Sequence, residues 1–344
     1  MKMKRTTLLL PPWWSVHQAA TGVLHAGLYL ADAVLTTGEN FFTIAIDRPV
    51  AFSLQRKLRR EDHILHLPEE ADQAARLALR QALETRPDAL LLAYWPPSAL
   101  ATLARYETET LARLTAAGLP VLATVDGAFW EDGIDAELKA ADAYRTLEAA
   151  GVRFLGISQA TAANSPVRIW GTVRQGGLMP RWTATVCRRR ARVPRLARAF
   201  WRRVVWWGRP VPEKGLAEVV QICELAGLEP VLLPGASTDM LARYLARAAA
   251  VLYWPQRPYP GSMALLEAQA AGVPVVARDI GGLAEYVAPG NGLTASTFYQ
   301  AAEALRTVRR AAPDPVAVRA RFAAVRGPAP VVLHLRRTVQ QVCG

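Results

Sequence analysis

Four side chains in the C-terminal half have the types and spacing to hold an anion beside a diol. Arg209 and Lys214 sit in Gly208-Arg209-Pro210-Val211-Pro212-Glu213-Lys214-Gly215, directly after the apolar run VVWW. Arginine offers a two-pronged fork to phosphate oxygens and lysine a compact point charge. The pair suits a diphosphate, and would neutralise charge that builds on it as a leaving group. Some fifty residues further on, the loop Pro255 to Gly261 enters a helix that Ser262 is suited to cap. The N–H groups at Ser262, Met263 and Ala264, with Gly261 in the turn before them, would form an anion seat. Glu267 lies about one helical turn further in, alone in the apolar stretch LLEAQAAGVPVVA. A carboxylate accepts two hydrogen bonds from a vicinal diol such as that of a ribose. A diphosphate beside a ribose diol describes a nucleotide-sugar. The plainer alternatives are surface charges for Arg209 and Lys214 and a solvated helix position for Glu267. The glycines framing the first pair and the apolar neighbours of the third argue against them.

The elements that would position these residues alternate along the chain. Apolar strand-like runs at 6–10, 41–46, 89–94, 121–125 and 154–158 are separated by helix-like periodicity, including one helix expected over 98–117. The alternation restarts at Val204 and runs through strands at 204–207, 230–233 and 250–254. Such alternation predicts βαβ units and parallel sheets with helices on both faces. The expected fold class is α/β, with two Rossmann-like domains facing a cleft. The expected division is residues 1–180, a basic linker at 181–203, and 204–344 as the nucleotide-sugar domain, its last helix packing back on the first domain. In open α/β sheets ligands sit beyond the carboxyl ends of strands, which is where both loops named above emerge.

Charge is distributed unevenly. Of 344 residues, 41 are Lys or Arg and 29 are Asp or Glu, a net charge of +12. Residues 151–212 hold thirteen Arg and no Lys, Asp or Glu, so the rest of the chain is close to neutral. That segment, with Arg188, Arg189, Arg190, Arg192 and Arg195 at its centre, is expected to meet a polyanion: nucleic acid, anionic lipid or a phosphorylated sugar. Arg-rich codon usage is the bland alternative, but it does not explain 62 residues without an acid. Three widely spaced cysteines form no paired motif, and no apolar run reaches the 18–20 residues that span a bilayer. The start MKMKRTTLLLPPWW has too short an apolar part for a secretory signal and reads as a first strand. A cytoplasmic location, peripheral to the inner membrane face at most, is the expectation.

The motifs GR-x-x-x-EKG, a Gly-rich turn, LLEAQAAGVPVVA and GG occur in this order over residues 204–293. In this order and spacing the sequence resembles the C-terminal half of family 4 glycosyltransferases of the GT-B fold. SQATA at Ser158–Ala162 and the later QGG resemble weaker landmarks of the same family. The resemblance implies that Arg209 and Lys214 hold the donor diphosphate and that Glu267, the second Glu of an E-x7-E motif, holds the ribose. It also implies transfer with retention at the anomeric carbon, no metal, no bound cofactor, and a UDP-sugar as the first choice of co-substrate. The first Glu of E-x7-E falls on Tyr259, which keeps a hydroxyl but carries no charge at neutral pH. Asp126 stands where the family has a His close to the reacting sugar. Asp126 either takes that catalytic place or makes a local turn with Gly127. His17 and Trp13 lie in the segment that replaces the family's first Gly-rich loop, as acceptor contacts or as local packing.

The expected activity is a retaining hexosyl transfer to a hydroxyl of an acceptor at a polyanionic surface, such as an envelope saccharide or lipid. The alternative acceptor is DNA bearing hydroxymethylated pyrimidines, its backbone held by the Arg-rich segment. A reading from another class is a module that binds a nucleotide-sugar without turnover. Retention of Arg209, Lys214 and Glu267 together speaks against it. A dinucleotide oxidoreductase is disfavoured because no G-x-G-x-x-G follows a predicted strand.

Overall fold

The computed structural model describes residues 5–10, 21–47, 57–125, 135–177 and 179–344. The chain divides into two compact units, one of Met1–Leu178 with Pro328–Gly344, the other of Met179–Gly327.

The first unit is built on seven strands: β1 (Thr6–Leu9), β2 (Phe42–Asp47), β3 (His63–Leu65), β4 (Ala89–Leu92), β5 (Val121–Val125), β6 (Arg153–Gly156) and β7 (Ile169–Thr172). They pair in parallel throughout, in the order β3-β2-β1-β4-β5-β6-β7. Runs such as ALLL and VLATV are buried along their whole length, because a parallel sheet is covered on both faces. Helices α1 (Thr21–Thr37), α2 (Ala71–Glu84), α3 (Pro97–Tyr106), α4 (Thr108–Ala116), α5 (Asp135–Ala149) and α6 (Gln159–Ala163) supply that cover. The single helix expected over 98–117 is two helices broken at Glu107. The Glu107 side chain turns inward, 1% exposed, and accepts from Arg76 Nε and Arg80 at 3.0 Å and from Thr110 at 3.0 Å. Burial alone would raise this carboxyl. The bonds from Arg76 and Thr110 and the charge of Arg80 outweigh it and hold the group below its usual range.

The second unit has five parallel strands: β8 (Arg203–Gly208), β9 (Glu229–Pro234), β10 (Ala248–Tyr253), β11 (Val275–Arg278) and β12 (Gly292–Ala295). Their order is β12-β11-β10-β8-β9. Seven helices belong to this unit: α7 (Arg181–Ala191), α8 (Arg195–Ala199), α9 (Leu216–Ala226), α10 (Thr238–Leu245), α11 (Met263–Ala270), α12 (Phe298–Ala311) and α13 (Pro315–Arg326). Trp206 and Trp254, from β8 and the end of β10, anchor its core against α9 and α12.

Residues 181–203 are therefore not a linker. They form α7 and α8 and pack within the second unit against α10, α11, α12 and α13. The buried positions of α7 are Thr183, Val186, Cys187 and Arg190, one helical face in which an arginine takes an interior place. That arginine is what hides the amphipathic pattern in the sequence. Helix α14 (Pro328–Cys343) returns to the first unit and packs on α1 and β7. His334 Nε2 and Thr338 Oγ1 both reach the Thr172 carbonyl, at 2.9 and 3.1 Å. A side chain at Gly171 would stand 2.8 Å from Thr338 Cγ2, so this glycine permits the approach.

Candidate functional site

In the second unit the chain steps outward from β8 to β9 on one side and returns through β10, β11 and β12 on the other. The neighbours β8 and β10 thus flank the point where strand order reverses, and the loops leaving their carboxyl ends part there. Arg209 follows the last residue of β8 and is exposed. Pro212–Lys214 then forms one turn of 3-10 helix that stops at Gly215 in the left-handed region, φ +69°. A Cβ on Gly215 would lie 1.8 Å from the carbonyl oxygen of Trp254, at the end of β10. Only glycine lets these two loops touch. The Gln256 amide donates to the Glu213 carbonyl at 2.9 Å and closes the same contact.

That contact places Lys214 between two tyrosines from the neighbouring strand and loop. Its Nζ donates to Tyr253 Oη at 2.7 Å and stands 3.8 Å from the ring centroid of Tyr259. Burial lowers the Lys214 ammonium from its ordinary value, against the opposing effect of the Tyr259 hydroxyl. Burial also pushes both phenols up, so they remain neutral beside the cation. The Tyr259 hydroxyl is buried and makes no hydrogen bond of ordinary geometry among the described residues. Lys214 is the neighbour of Tyr259, through both the ring and the hydroxyl end.

Ser262 caps α11, its hydroxyl accepting from the Leu265 amide at 3.5 Å. The first amides of a helix have no carbonyl within it to bond, which leaves Met263 and Ala264 at the anion-attracting end. Gly261 is packed so closely on Tyr286 that a Cβ would meet its ring at 2.0 Å. Glu267 is 7% exposed and lies inside this helix among buried Leu265, Leu266 and Ala268. A carboxylate is not kept there for solubility, since burying it carries a desolvation cost. The helix is held by Gln269, which is fully buried. Its amide nitrogen donates to Leu265 O at 2.8 Å and Tyr286 O at 2.6 Å, and its oxygen accepts from Ala288 N at 2.9 Å and Asn291 Nδ2 at 3.3 Å. Arg278 Nη1 ties the loop after β10 through the carbonyls of Pro255 and Gln256, at 2.8 and 3.2 Å. Tyr253 and Arg278 were not singled out in the sequence; the adjacency of β10 to β8 gives Tyr253 its contact with Lys214, and that of β10 to β11 gives Arg278 its hold on the loop.

The Arg-rich segment lies elsewhere. Arg190 is 2% exposed and spends its guanidinium on the carbonyls of Gly272 at 3.2 Å, Leu245 at 2.7 Å and Ala248 at 2.8 Å. Leu245 ends α10, Ala248 opens β10 and Gly272 lies in the turn before β11, so all three stand near the amino ends of strands. Burial lowers its pKa to about 9. Arg190 is a staple of the fold and is withdrawn from the polyanion-binding set. Arg188, Arg189, Arg192 and Arg195 are exposed, but α8 joins the amino end of β8. With six residues in β8 and about 3.3 Å per residue, roughly 20 Å of strand separates that edge from Arg209. The exposed arginines of α7 and α8 thus stand at the opposite end of β8 from Arg209 and Lys214.

Asp126, His17 and Trp13 lie outside the described residues. The carboxyl edge of the first unit nevertheless shows one feature missed in the sequence. Tyr94, just past β4, is a buried non-glycine residue at φ +57°. Its amide donates to Thr124 Oγ1 at 2.7 Å, and the Trp95 indole N–H donates to Leu9 O at 3.0 Å. These bonds fix the ends of β1, β4 and β5, where the order of the first sheet reverses. Left-handed backbone at a non-glycine residue is retained where surroundings enforce it, commonly at ligand sites.

Residues 186–310 match the family model described as glycosyl transferases group 1. No curated protein matches the chain in sequence. Among solved structures the chain is similar to HepE of Anabaena in complex with UDP-glucose, at TM-score 0.62 and 14% identity over 97% of this chain and 99% of that one. It is likewise similar to a glycosyltransferase from Rickettsia africae, at TM-score 0.63 and 12% identity over 98% of each chain. A third is the sucrose-phosphate synthase of Thermosynechococcus elongatus, at TM-score 0.60 and 13% identity over 98% and 99%. Identity at this level speaks for the fold, which is that of GT-B glycosyltransferases with two Rossmann-like domains.

Proposed function

We propose that this protein is a nucleotide-sugar-dependent glycosyltransferase whose donor site is the switch point of the second unit. The observation that carries the reading is the convergence of Arg209, Lys214, Tyr259, the Ser262-capped helix and Glu267 on loops from the adjacent strands β8 and β10. A diphosphate would rest between Arg209, Lys214 and the first amides of α11, and Glu267 would accept from the ribose hydroxyls. Arg209 and Lys214 would offset the charge that develops on the departing diphosphate. The Tyr259 hydroxyl would meet a hydroxyl of the transferred sugar, the place that the resembling family gives to a Glu. A UDP-hexose is the proposed donor, with support from solved structures of the same fold, among them HepE in complex with UDP-glucose. Retention at the anomeric carbon, a metal-free reaction and a catalytic part for Asp126 follow from the family resemblance.

Incubation with UDP-glucose, UDP-galactose and UDP-N-acetylglucosamine, with water as the fallback acceptor, tests this directly. Release of UDP with free sugar of retained anomeric configuration, read by proton NMR coupling constants, is expected. Binding of UDP without any hydrolysis or transfer across donors would assign the chain to non-catalytic binding instead.

A further inference from the structure

Helix α8 combines two properties that rarely coincide. Leu196 and Phe200 are the most exposed large apolar side chains among the described residues, at 79% and 80%. They stand four positions apart, so they share one helical face. Isolated exposed apolar residues are ordinary, but these two are flanked in the chain by exposed cations. Arg188, Arg189, Arg192, Arg195 and Arg202 are exposed within the same short stretch, and no acid occurs from residue 151 to 212.

The platform beneath is firm. On the buried side, Arg198 donates to the Val193 carbonyl, and Arg190 stacks 4.8 Å from the Trp201 ring while bonding three carbonyls near the amino ends of strands. Arg195 Nε holds the Ala311 carbonyl at 3.2 Å and Arg202 the Gly227 carbonyl at 2.9 Å. The exposure of Leu196 and Phe200 is thus built into a packed element.

We propose that α8 and its flanks form a contact surface for an anionic phospholipid bilayer. Leu196 and Phe200 enter the boundary between headgroups and acyl chains, and the arginines meet lipid phosphates. Charge complementarity selects this partner: exposed arginines flank an apolar pair along the chain, and an anionic bilayer offers both phosphate and hydrocarbon. Duplex DNA supplies the phosphate but no apolar seat for Leu196. Because α8 lies at the amino edge of its sheet, the contact tethers the protein and takes no part in the donor site. The proposal does not depend on the glycosyltransferase reading.

The full chain is mixed with sedimenting vesicles of phosphatidylcholine alone, or with one-third phosphatidylglycerol, and with duplex DNA as competitor. UDP affinity and the thermal unfolding midpoint of each protein are measured in parallel. The wild type should bind the anionic vesicles only, with affinity falling as salt rises. Leu196→Ser with Phe200→Ser should weaken that binding at least about tenfold. Arg188→Gln with Arg189→Gln and Arg192→Gln should weaken it and flatten the salt dependence. All variants should keep the wild-type unfolding midpoint. Failure of the wild type to bind anionic vesicles overturns the proposal. So does undiminished binding by the Leu196/Phe200 variant, or preference for DNA over vesicles. Vesicle binding that is lost in a variant with intact UDP affinity separates this surface from the donor site.

Discussion

Replacing Lys214 with Ala removes one charge from a point where Tyr253 Oη at 2.7 Å and the Tyr259 face at 3.8 Å hold it. In the ligand-free protein the opposing effects nearly cancel. The hydrogen bond contributes about 1 kcal/mol and the cation–π contact about 0.5–2 kcal/mol. Against them stands the desolvation of a buried ammonium, visible in its lowered pKa. The fold should survive. In the complex the variant lacks a charge-assisted hydrogen bond to phosphate, about 1.5–3 kcal/mol, which raises the Kd for UDP about 10–150-fold. Uridine has no phosphate, so its Kd should hardly move, and isothermal titration of both ligands gives the contrast. A pH signature accompanies it. Burial lowers Lys214, so the wild type should lose UDP affinity as pH climbs through a value below that of an ordinary lysine, and binding there should take up a proton. The sign for folding is opposite. A lysine whose folded pKa is lowered costs stability below that value, and the cost fades as pH rises toward the unfolded one. The assignment is refuted if UDP and uridine weaken equally in a folded variant, or if neither weakens.

Glu267→Ala should raise the Kd for both UDP and uridine, by about 10–150-fold for the loss of a charged hydrogen-bond acceptor; unchanged affinity in a folded protein removes the ribose assignment. Gly215→Ala forces a Cβ to 1.8 Å from a backbone oxygen at a left-handed residue, so the loops must part. It should lower the unfolding midpoint and weaken UDP more than uridine, read by calorimetry and titration. Tyr259→Phe keeps the ring under Lys214 and deletes only the hydroxyl, so UDP affinity should change less than in Lys214→Ala while UDP-sugar turnover falls. Glu107 is held below its usual range, so its contribution to stability is present above the unfolded carboxyl pKa and lost as pH falls through the lower folded value. In Glu107→Gln that acid limb should shrink in urea titrations run from pH 6 to pH 3.

Motifs of short range were legible from the chain alone. Glycines around Arg209 and Lys214, the Ser262 cap and the lone Glu267 are local patterns, and local patterns survive translation into structure because they are set by backbone geometry within one turn. The alternation of apolar runs with helical periodicity likewise gave two parallel α/β sheets, since period and burial follow from one another. Glu107 shows where periodicity fails: an inward carboxylate breaks the expected helix, and its partners Arg76 and Arg80 are some thirty residues away. Arg190 shows the same failure with the opposite outcome. A residue counted as surface charge is interior, because three carbonyls from distant segments satisfy it. Neither partnership leaves a trace in spacing. Sequence thus determined which residues could hold a diphosphate and a diol. The tertiary structure decided that β8 lies beside β10, that Lys214 is wedged between Tyr253 and Tyr259, and that the basic helices stand at the far edge of the sheet. Strand adjacency is a contact between segments distant in the chain, fixed by the burial of whole faces and by no single motif.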